Sequence, residues 1–177
     1  QKALADSKAK KSEADFRVAE TKARVATENE GKRSNPKLYQ QIQDNLEQAR
    51  KYHARAKQNY EQIIKYSDQV IDDVKTLLAE VTKLADKEVG EATSLLEEAK
   101  RNEAETRVPD AWSKATAVVN EAVVLRSKEQ YFKAIEKGKE AQNVASEANQ
   151  LAMQSKAREE MQKAEALIGN LKEVEAS

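Results

Sequence analysis

The sequence predicts an all-α protein, folded as an elongated bundle of long antiparallel helices. Its composition is that of a helix former, with 28 alanines against four glycines and two prolines in 177 residues. Its apolar residues recur in steps of three and four, the spacing of a helix face that packs on a neighbour. Aromatic residues make up only 5% of the chain. Because aromatic side chains dominate thick cores, a narrow bundle is favoured.

The first helix is predicted over residues 1–30 from a seam of small side chains. Its members follow one another in the alternating steps of a heptad repeat: Ala5, Ala9, Ser12, Phe16, Ala19, Ala23 and Ala26. Small side chains at these positions allow neighbouring helices to approach closely. The stretch from Gly31 to Pro36 interrupts the pattern. Asn35 is the expected N-cap of the next helix, with Pro36 at its first position.

The stretch between Pro36 and Gly90 contains no further glycine or proline. Its first part carries an apolar seam of Tyr39, Ile42, Leu46, Ala49 and Tyr52. Its second part carries the strongest apolar face of the chain: Tyr60, Ile63, Ile64, Ser67, Val70, Ile71, Val74, Leu77, Leu78, Val81, Leu84 and Ala85. Two interpretations stay open. The stretch forms either one helix of about fifty residues, long for a globular protein, or two helices with a turn near residues 54–59.

Gly90 and Pro109 mark the next expected helix boundaries. A shorter helix is predicted between them, ending near Arg107, with an inward face of Leu95, Leu96 and Ala99. The helix that begins at Pro109 is expected to face inward with Trp112, Ala115, Val119, Ala122 and Leu125.

The last helix is predicted from Lys128 onward and has an alanine-rich seam of Tyr131, Ile135, Gly138, Ala141, Ala145, Ala148, Ala152 and Ser155. A weaker continuation follows as Met161, Ala164, Ile168 and Leu171. Gly169 is expected to weaken or end this helix. All of these seams, Gly138 included, are predicted to be buried against neighbouring helices. A charge introduced at Ala145 is therefore expected to be strongly destabilising.

An internal repeat organises the predicted helices. The matches are Pro36, Tyr39 and Ala49 with Pro109, Trp112 and Ala122 at a spacing of 73, and Tyr60 and Ile64 with Tyr131 and Ile135 at a spacing of 71. The shorter second spacing indicates a loop near residues 126–128. The sequence thus predicts two three-helix repeats, over residues 1–88 and 89–177, within one continuous elongated domain.

The residues that usually carry catalysis or metal binding are sparse. The chain has no cysteine and one histidine, His53, which lies among cations and is interpreted as a surface residue. Adjacent carboxylates such as Glu97 and Glu98 point about 100° apart on a helix, so they do not converge on a metal ion. The four glycines are isolated and form no phosphate-binding loop. The sequence therefore predicts no enzyme and no catalytic, cofactor-binding or metal-binding residues.

No apolar run approaches the roughly 20 residues of a membrane span, so no span is predicted. The sequence also carries no signal peptide. The chain begins at Gln1, so a trimmed or processed product is expected, which leaves room for a targeting segment that has been removed.

The charges are unevenly distributed although the net charge is zero. Residues 1–60 carry 14 basic and 8 acidic side chains, and residues 61–177 carry 17 and 23. This asymmetry can guide assembly, or the two surpluses can neutralise each other within one bundle. The candidate partner-binding residues are the basic cluster of Arg50, Lys51, Arg55 and Lys57. Nucleic acid is disfavoured as a partner, because acidic residues are interspersed and no aromatic residues accompany the cluster for base stacking.

Several segments of the second half resemble known helical repeats. They are residues 109–115 (PDAWSKA), 120–122 (NEA), 129–135 (EQYFKAI) and 140–142 (EAQ). They look like tetratricopeptide-type helical hairpins, although the glycine expected before Tyr131 is missing. They resemble more closely the alanine-rich helical-repeat proteins that spirochaetes export. Those include periplasmic lipoproteins and, more distantly, the flagellar-coiling proteins of the flagellar sheath.

The resemblance covers residues 36–71 and 109–150. It implies an exported, non-catalytic structural protein of the periplasm or cell envelope, with tetratricopeptide-like or coiled-coil-like packing. A cytoplasmic location is the alternative. The family's lipidation cysteine has no counterpart here.

Three functions stay open at this point. The first is a structural or assembly protein that packs through charged helical faces into a larger assembly of the cell-envelope or flagellar-sheath type. The second is a monomeric helical-repeat binding module, a scaffold or adaptor for a protein partner. A cytosolic coiled-coil adaptor or a spectrin-like rod segment is a third. All three act on protein partners, and none involves a cofactor or a small-molecule substrate.

Overall fold

The computed structural model describes residues 2–55 and 59–175, and over these ranges it contains helices and no strand. The predicted all-α class is therefore confirmed for this part of the chain. The helices are α1 (Lys2–Glu28), α2 (Gly31–Ser34), α3 (Pro36–Ala54), α4 (Tyr60–Arg101), α5 (Ala104–Arg107), α6 (Pro109–Ser127) and α7 (Tyr131–Glu175). None of the described helices is apolar over a length sufficient to cross a bilayer.

The ends of α3 follow from local chemistry. The Asn35 side chain accepts a hydrogen bond from the Leu38 N–H at 3.1 Å, and Pro36 occupies the first helical turn, as predicted. At the other end, the Arg55 N–H donates to the Tyr52 carbonyl at 3.1 Å and closes the last turn. α3 and α4 are thus separate helices. This agrees with the interpretation of two helices with a turn near residues 54–59. Residues 56–58 of that turn lie outside the described residues.

The expected breaks at Gly90 and Gly169 are wrong. α4 continues through Gly90 to Arg101, and α7 continues through Gly169 to Glu175. A single glycine costs a helix only about 1 kcal/mol relative to alanine. In α4 the neighbouring Val89 and Ala92 are buried, and their packing outweighs this cost.

The actual turns carry glutamates in the left-handed conformation. Glu30, Glu103 and Glu129 have φ angles of 48°, 61° and 57°. This region usually takes glycine or asparagine, so a glutamate gives no breaker signal in the sequence. The helix predicted to end near Arg107 is for this reason two helices, α4 up to Arg101 and the short α5.

The chain divides into two compact units. Unit 1 consists of residues 1–84 with 130–132, and unit 2 consists of residues 85–129 with 133–177. α4 therefore contributes Tyr60–Leu84 to unit 1 and Ala85–Arg101 to unit 2.

Unit 1 is a three-helix arrangement of α1, α3 and the first part of α4. Contacts of His53 with Glu13 and of Tyr39 with Thr27 show that α3 runs antiparallel to α1. Side-chain hydrogen bonds from Gln41 to Asp73 and from Asn35 to Glu80 show that α4 runs antiparallel to α3. The core is formed by fully buried aliphatic residues of α3 and α4: Ile42, Ile63, Val70, Val74 and Leu77.

Unit 2 repeats the arrangement with α4, α6 and α7. α6 runs antiparallel to both of its neighbours: Arg126 pairs with Asp86 and Glu121 with Lys137, whereas Ala115 lies in one core cluster with Ala99 and Ala145. Its core consists largely of alanines in contact with one another: Ala99, Ala104, Ala115, Ala145, Ala148 and Ala152. Small side chains allow close approach, and the Cβ of any residue replacing Gly138 would lie 3.1 Å from the Glu88 backbone.

Helix starts and buried positions recur between the units at the two spacings of the sequence repeat. The corresponding helices begin at Gly31 and Ala104 (α2 and α5), at Pro36 and Pro109 (α3 and α6), and at Tyr60 and Tyr131 (α4 and α7). The buried positions recur in the same register, as in the pairs Ala19 and Ala92, Ala26 and Ala99, Leu46 and Val119, Val74 and Ala145, and Leu77 and Ala148.

The predicted burial of the seams is confirmed for most positions, Gly138 and Ala145 included, but it is wrong at Leu84, which is 41% exposed, and at both ends of the chain. Ala5 is exposed, and the seam of α1 is buried from Ser12 onward. In α7 every residue from Met161 to Leu171 is exposed.

Ser67→Ala is expected to stabilise the protein by about 1 kcal/mol. The Ser67 hydroxyl is fully buried and has no hydrogen-bond partner among the described residues. Removing it relieves an unsatisfied polar group and leaves the side chain small. Ser12→Ala is the matched control, because the buried Ser12 hydroxyl donates to the Ala9 carbonyl at 2.8 Å. Urea unfolding should show a gain for Ser67→Ala alone; an equal gain in both would contradict the explanation.

In unit 2, α5 is attached to α7 through Glu159, and this attachment is expected to weaken in acid. Hydrogen bonds from Lys163 and Arg107 lower the pKa of Glu159 to about 2. A lowered carboxyl pKa adds stability above its unfolded value, and this contribution is lost as the pH falls from about 4.5 to about 2. Because Glu159 is partly exposed, the effect should also be screened by salt.

Glu159→Gln is expected to lower the melting temperature slightly at neutral pH and to flatten the loss of stability below about pH 4.5, where the wild-type carboxylate begins to lose its contribution. The control is Glu160→Gln, which neutralises the neighbouring exposed carboxylate. Thermal unfolding from neutral to acid pH makes the comparison, and parallel acid profiles for wild type and Glu159→Gln would rule out this contribution.

Candidate interaction surface

The basic residues singled out in the sequence lie at the C-terminal end of α3. Arg50 and Lys51 occupy its last turns, and Arg55 is the residue that caps it. All three side chains are exposed. Lys57 lies outside the described residues. The structure therefore places three of the four predicted residues on one end of unit 1, next to α1.

Arg50 is engaged within unit 1. Its guanidinium Nη2 lies 3.0 Å from the Glu20 carboxylate on α1, and its Nε donates to the same oxygen at 3.1 Å. Both side chains remain more than one-third exposed, so the pair contributes little to stability. Of the three described residues of the cluster, Arg50 is consequently the one whose charge is already paired within the unit.

The interpretation of His53 as a simple surface residue is wrong. Its ring is half-buried and stacks on Phe16, with the ring centroids 4.1 Å apart. Its Nε2 lies 2.7 Å from the Glu13 carboxylate, which also accepts a hydrogen bond from Arg17. The hydrogen bond with His53, followed by that from Arg17, lowers the pKa of Glu13 below its usual range. His53 is thus part of the α1–α3 interface.

Other basic residues near this end are also paired. Lys8 Nζ lies 2.7 Å from the Glu61 carboxylate of α4, and Lys11 pairs with Asp15. The Lys8 hydrogen bond lowers the pKa of Glu61. By contrast, Lys51 and Arg55 form no ion pair with any described side chain. The uncommitted positive charge of this surface therefore rests on Lys51, on Arg55 and on the exposed Lys10 of α1, which is likewise in no ion pair with a described side chain.

Unit 2 presents uncommitted negative charge. Glu97, Glu98, Glu105 and Asp110 are exposed at the ends of α4, α5 and α6, and the ion pairs of the described part of the chain do not include them. Exposed cations outside these ion pairs, such as Lys100, Arg101 and Lys114, lie near them, so the surface charge of unit 2 is mixed.

Within residues 2–55 and 59–175, no group of three histidine, cysteine or acidic side chains converges as metal ligands would. Asp73, for example, accepts hydrogen bonds from the amide side chains of Gln41 and Asn45.

The sequence patterns missed one further surface. The apolar steps Met161, Ala164, Ile168 and Leu171 predict a buried seam, yet all four side chains are exposed. The steps alone do not distinguish a seam that meets a neighbouring helix from one that faces solvent.

Comparison of the chain with protein-family models, with curated proteins and with solved structures finds no match. The functional proposal therefore depends on the surfaces just described.

Proposed function

We propose that this protein is a non-enzymatic structural or assembly protein, which packs through charged helical faces into a larger assembly. The observation that carries this proposal is the uncommitted charge of opposite sign at exposed helix ends. Lys51 and Arg55 are unpaired cations on unit 1, whereas Glu97, Glu98, Glu105 and Asp110 are unpaired anions on unit 2. Complementary exposed charges of this kind steer association and set its orientation.

The architecture in this proposal is a continuous, elongated array of three-helix repeats with coiled-coil-like packing. The recurrence of helix starts and buried positions in the register of the sequence repeat supports it. In such arrays each unit contacts only its neighbours, so the chain presents long surfaces suited to lateral packing.

The place of action in this proposal is the periplasm or cell envelope, in an assembly of the flagellar-sheath type. Its support is the resemblance to exported alanine-rich repeat proteins of spirochaetes. A cytoplasmic scaffold with the same surfaces is the alternative.

Reversal of the two unpaired cations tests the proposal. In Lys51→Glu/Arg55→Glu, self-association or partner binding at low salt is expected to weaken at least about tenfold, because exposed complementary charges are replaced by repulsive ones. The melting temperature should stay nearly unchanged, since exposed charges contribute little to stability. Sedimentation at low and high salt measures the first effect, and circular dichroism the second.

The matched control is Lys114→Glu/Lys156→Glu, which makes the same change of charge at exposed positions of unit 2. Equal association of wild type and both variants, independent of salt, would contradict the proposal. A lowered melting temperature for Lys51→Glu/Arg55→Glu, with unchanged association, would indicate that the cations act within the bundle.

A further inference from the structure

The last part of α7 carries an apolar seam that faces solvent. Met161, Ile168 and Leu171 are 63%, 53% and 64% exposed, and Leu167 beside them is 64% exposed. With Ala164 these side chains follow steps of three and four and therefore lie along one helix face. Clustered large apolar side chains on one face mark an interaction surface, whereas single exposed ones are ordinary.

Seams with the same spacing are largely buried elsewhere in the chain. Val89, Ala92, Leu96 and Ala99 of α4 and Phe16, Ala19, Ala23 and Ala26 of α1 follow one another in the same steps of three, four and three. In unit 2, Ala92 packs with Val119 and Ala141, and in unit 1, Phe16 packs with Ala49 and Ile63. Both of those seams lie against an antiparallel helix. On α7 a seam of the same spacing faces solvent.

We propose that the exposed seam of α7 is covered by the same seam of a second copy of this chain, in an antiparallel helix pair. This rests on the proposed assembly function and names a second copy as one of its partners.

Antiparallel pairing makes the seam complementary to itself. It places Met161 opposite Leu171 of the second copy, and the small Ala164 opposite the large Ile168. Large and small side chains then alternate along both sides of the contact, which is how packed helix interfaces fill space. Leu167 lies at the edge of the seam and adds apolar area close to the two-fold axis.

Parallel pairing is less favourable. It would place Ala164 against its own copy and leave a void, while Ile168 would meet its own copy. It would also bring Glu160 near Glu165 of the second copy, a like-charge contact at the flanking positions of a coiled coil.

The contact is small, so the association should be weak. The apolar side chains of the seam on both copies together bury an area on the order of 1,000 Å², near the lower limit for specific protein interfaces. We therefore expect reversible dimers that dissociate on dilution and do not require low salt.

Sedimentation equilibrium of the full chain at high salt tests this inference separately from the charge-guided assembly, which salt screens. The mean mass is expected to rise with concentration from 19.8 kDa toward twice that value. Ile168→Glu should abolish the rise, while Ala166→Glu, on the opposite face of the same exposed turn, should preserve it. Circular dichroism establishes that both variants remain helical. A mass that stays at the monomer value, or equal effects of the two substitutions, would overturn the inference.

Cysteine cross-linking tests the orientation, and the absence of native cysteine makes it specific. A mixture of Ala164→Cys and Ile168→Cys chains should form the mixed disulfide preferentially under mild oxidation. Preferential cross-linking of Ala164→Cys with itself would indicate parallel pairing and overturn the antiparallel register. If the dimer at high salt is absent while salt-dependent association persists, this inference fails and the proposed function stands.

Discussion

Ala145→Glu is expected to lower the free energy of unfolding by about 3–5 kcal/mol, because it forces an unpaired carboxylate into a packed interior. Ala145 is 0% exposed and lies in the alanine core of unit 2, where α4, α6 and α7 meet. Its neighbours in this cluster are small or apolar side chains, which offer the new carboxylate no charged partner. Chemical denaturation followed by circular dichroism measures the change.

Asn143→Glu is the control for this substitution. It lies two residues away on the same helix and is exposed, so the same carboxylate stays in water. Its free energy of unfolding should remain within about 0.5 kcal/mol of wild type, as for most surface substitutions. Equal stability of the two variants would mean that the face of α7 carrying Ala145 is not buried in solution.

Leu77→Ala is expected to cost about 2–5 kcal/mol, the usual range for emptying a packed core position. Leu77 is fully buried in unit 1, and its Cδ2 atom would lie 2.6 Å from a Cβ added at Gly31. Gly31→Ala should therefore also be destabilising, because both Leu77 and the Ala26 carbonyl oxygen, at 2.9 Å, crowd the new methyl group.

The double variant Gly31→Ala/Leu77→Ala should be less destabilised than the two single changes predict together. Unit 2 has alanine at both matching positions, Ala104 and Ala148, and both are buried in one cluster. The added methyl group partly fills the space that the leucine vacates. A double-mutant cycle should give a favourable coupling of about 1 kcal/mol. Strict additivity would show that the two positions do not share this space.

Much of the helical framework could be predicted from the sequence because its signals are local. Asn35 fixes the start of α3 by hydrogen bonding and Pro36 by its ring geometry, and both signals can be recognised from residue type alone. The three-four steps through Ala145 and Ala148 locate a buried face, because only one face of a helix can meet its neighbours.

The turns could be predicted less well because they depend on tertiary packing. Glu30 and Glu103 adopt left-handed backbone conformations, which sequence analysis expects at glycine. Gly90, by contrast, is held in α4 by the burial of Val89. The burial of a seam also requires a neighbouring helix, and the steps of three and four through Met161 and Ile168 carry no information about whether one is present.

The sequence predicts where the basic residues of the candidate interaction surface cluster. It does not predict which of them form ion pairs within the fold. Arg50 and Lys51 are adjacent in sequence, yet only Arg50 reaches a carboxylate, that of Glu20. The antiparallel pairing of α1 with α3 decides which cations form no ion pair. The amino-acid sequence does not specify the register of that pairing. The same pairing brings Glu13 and Phe16 to His53.

The mean mass of the wild-type chain, measured by sedimentation equilibrium over a range of concentrations at low and high salt, tests the assembly function most directly. We predict a mass above 19.8 kDa at low salt that grows with concentration and decreases as salt screens the exposed charges. The monomer mass at every concentration and at both salt levels would contradict self-assembly of this chain.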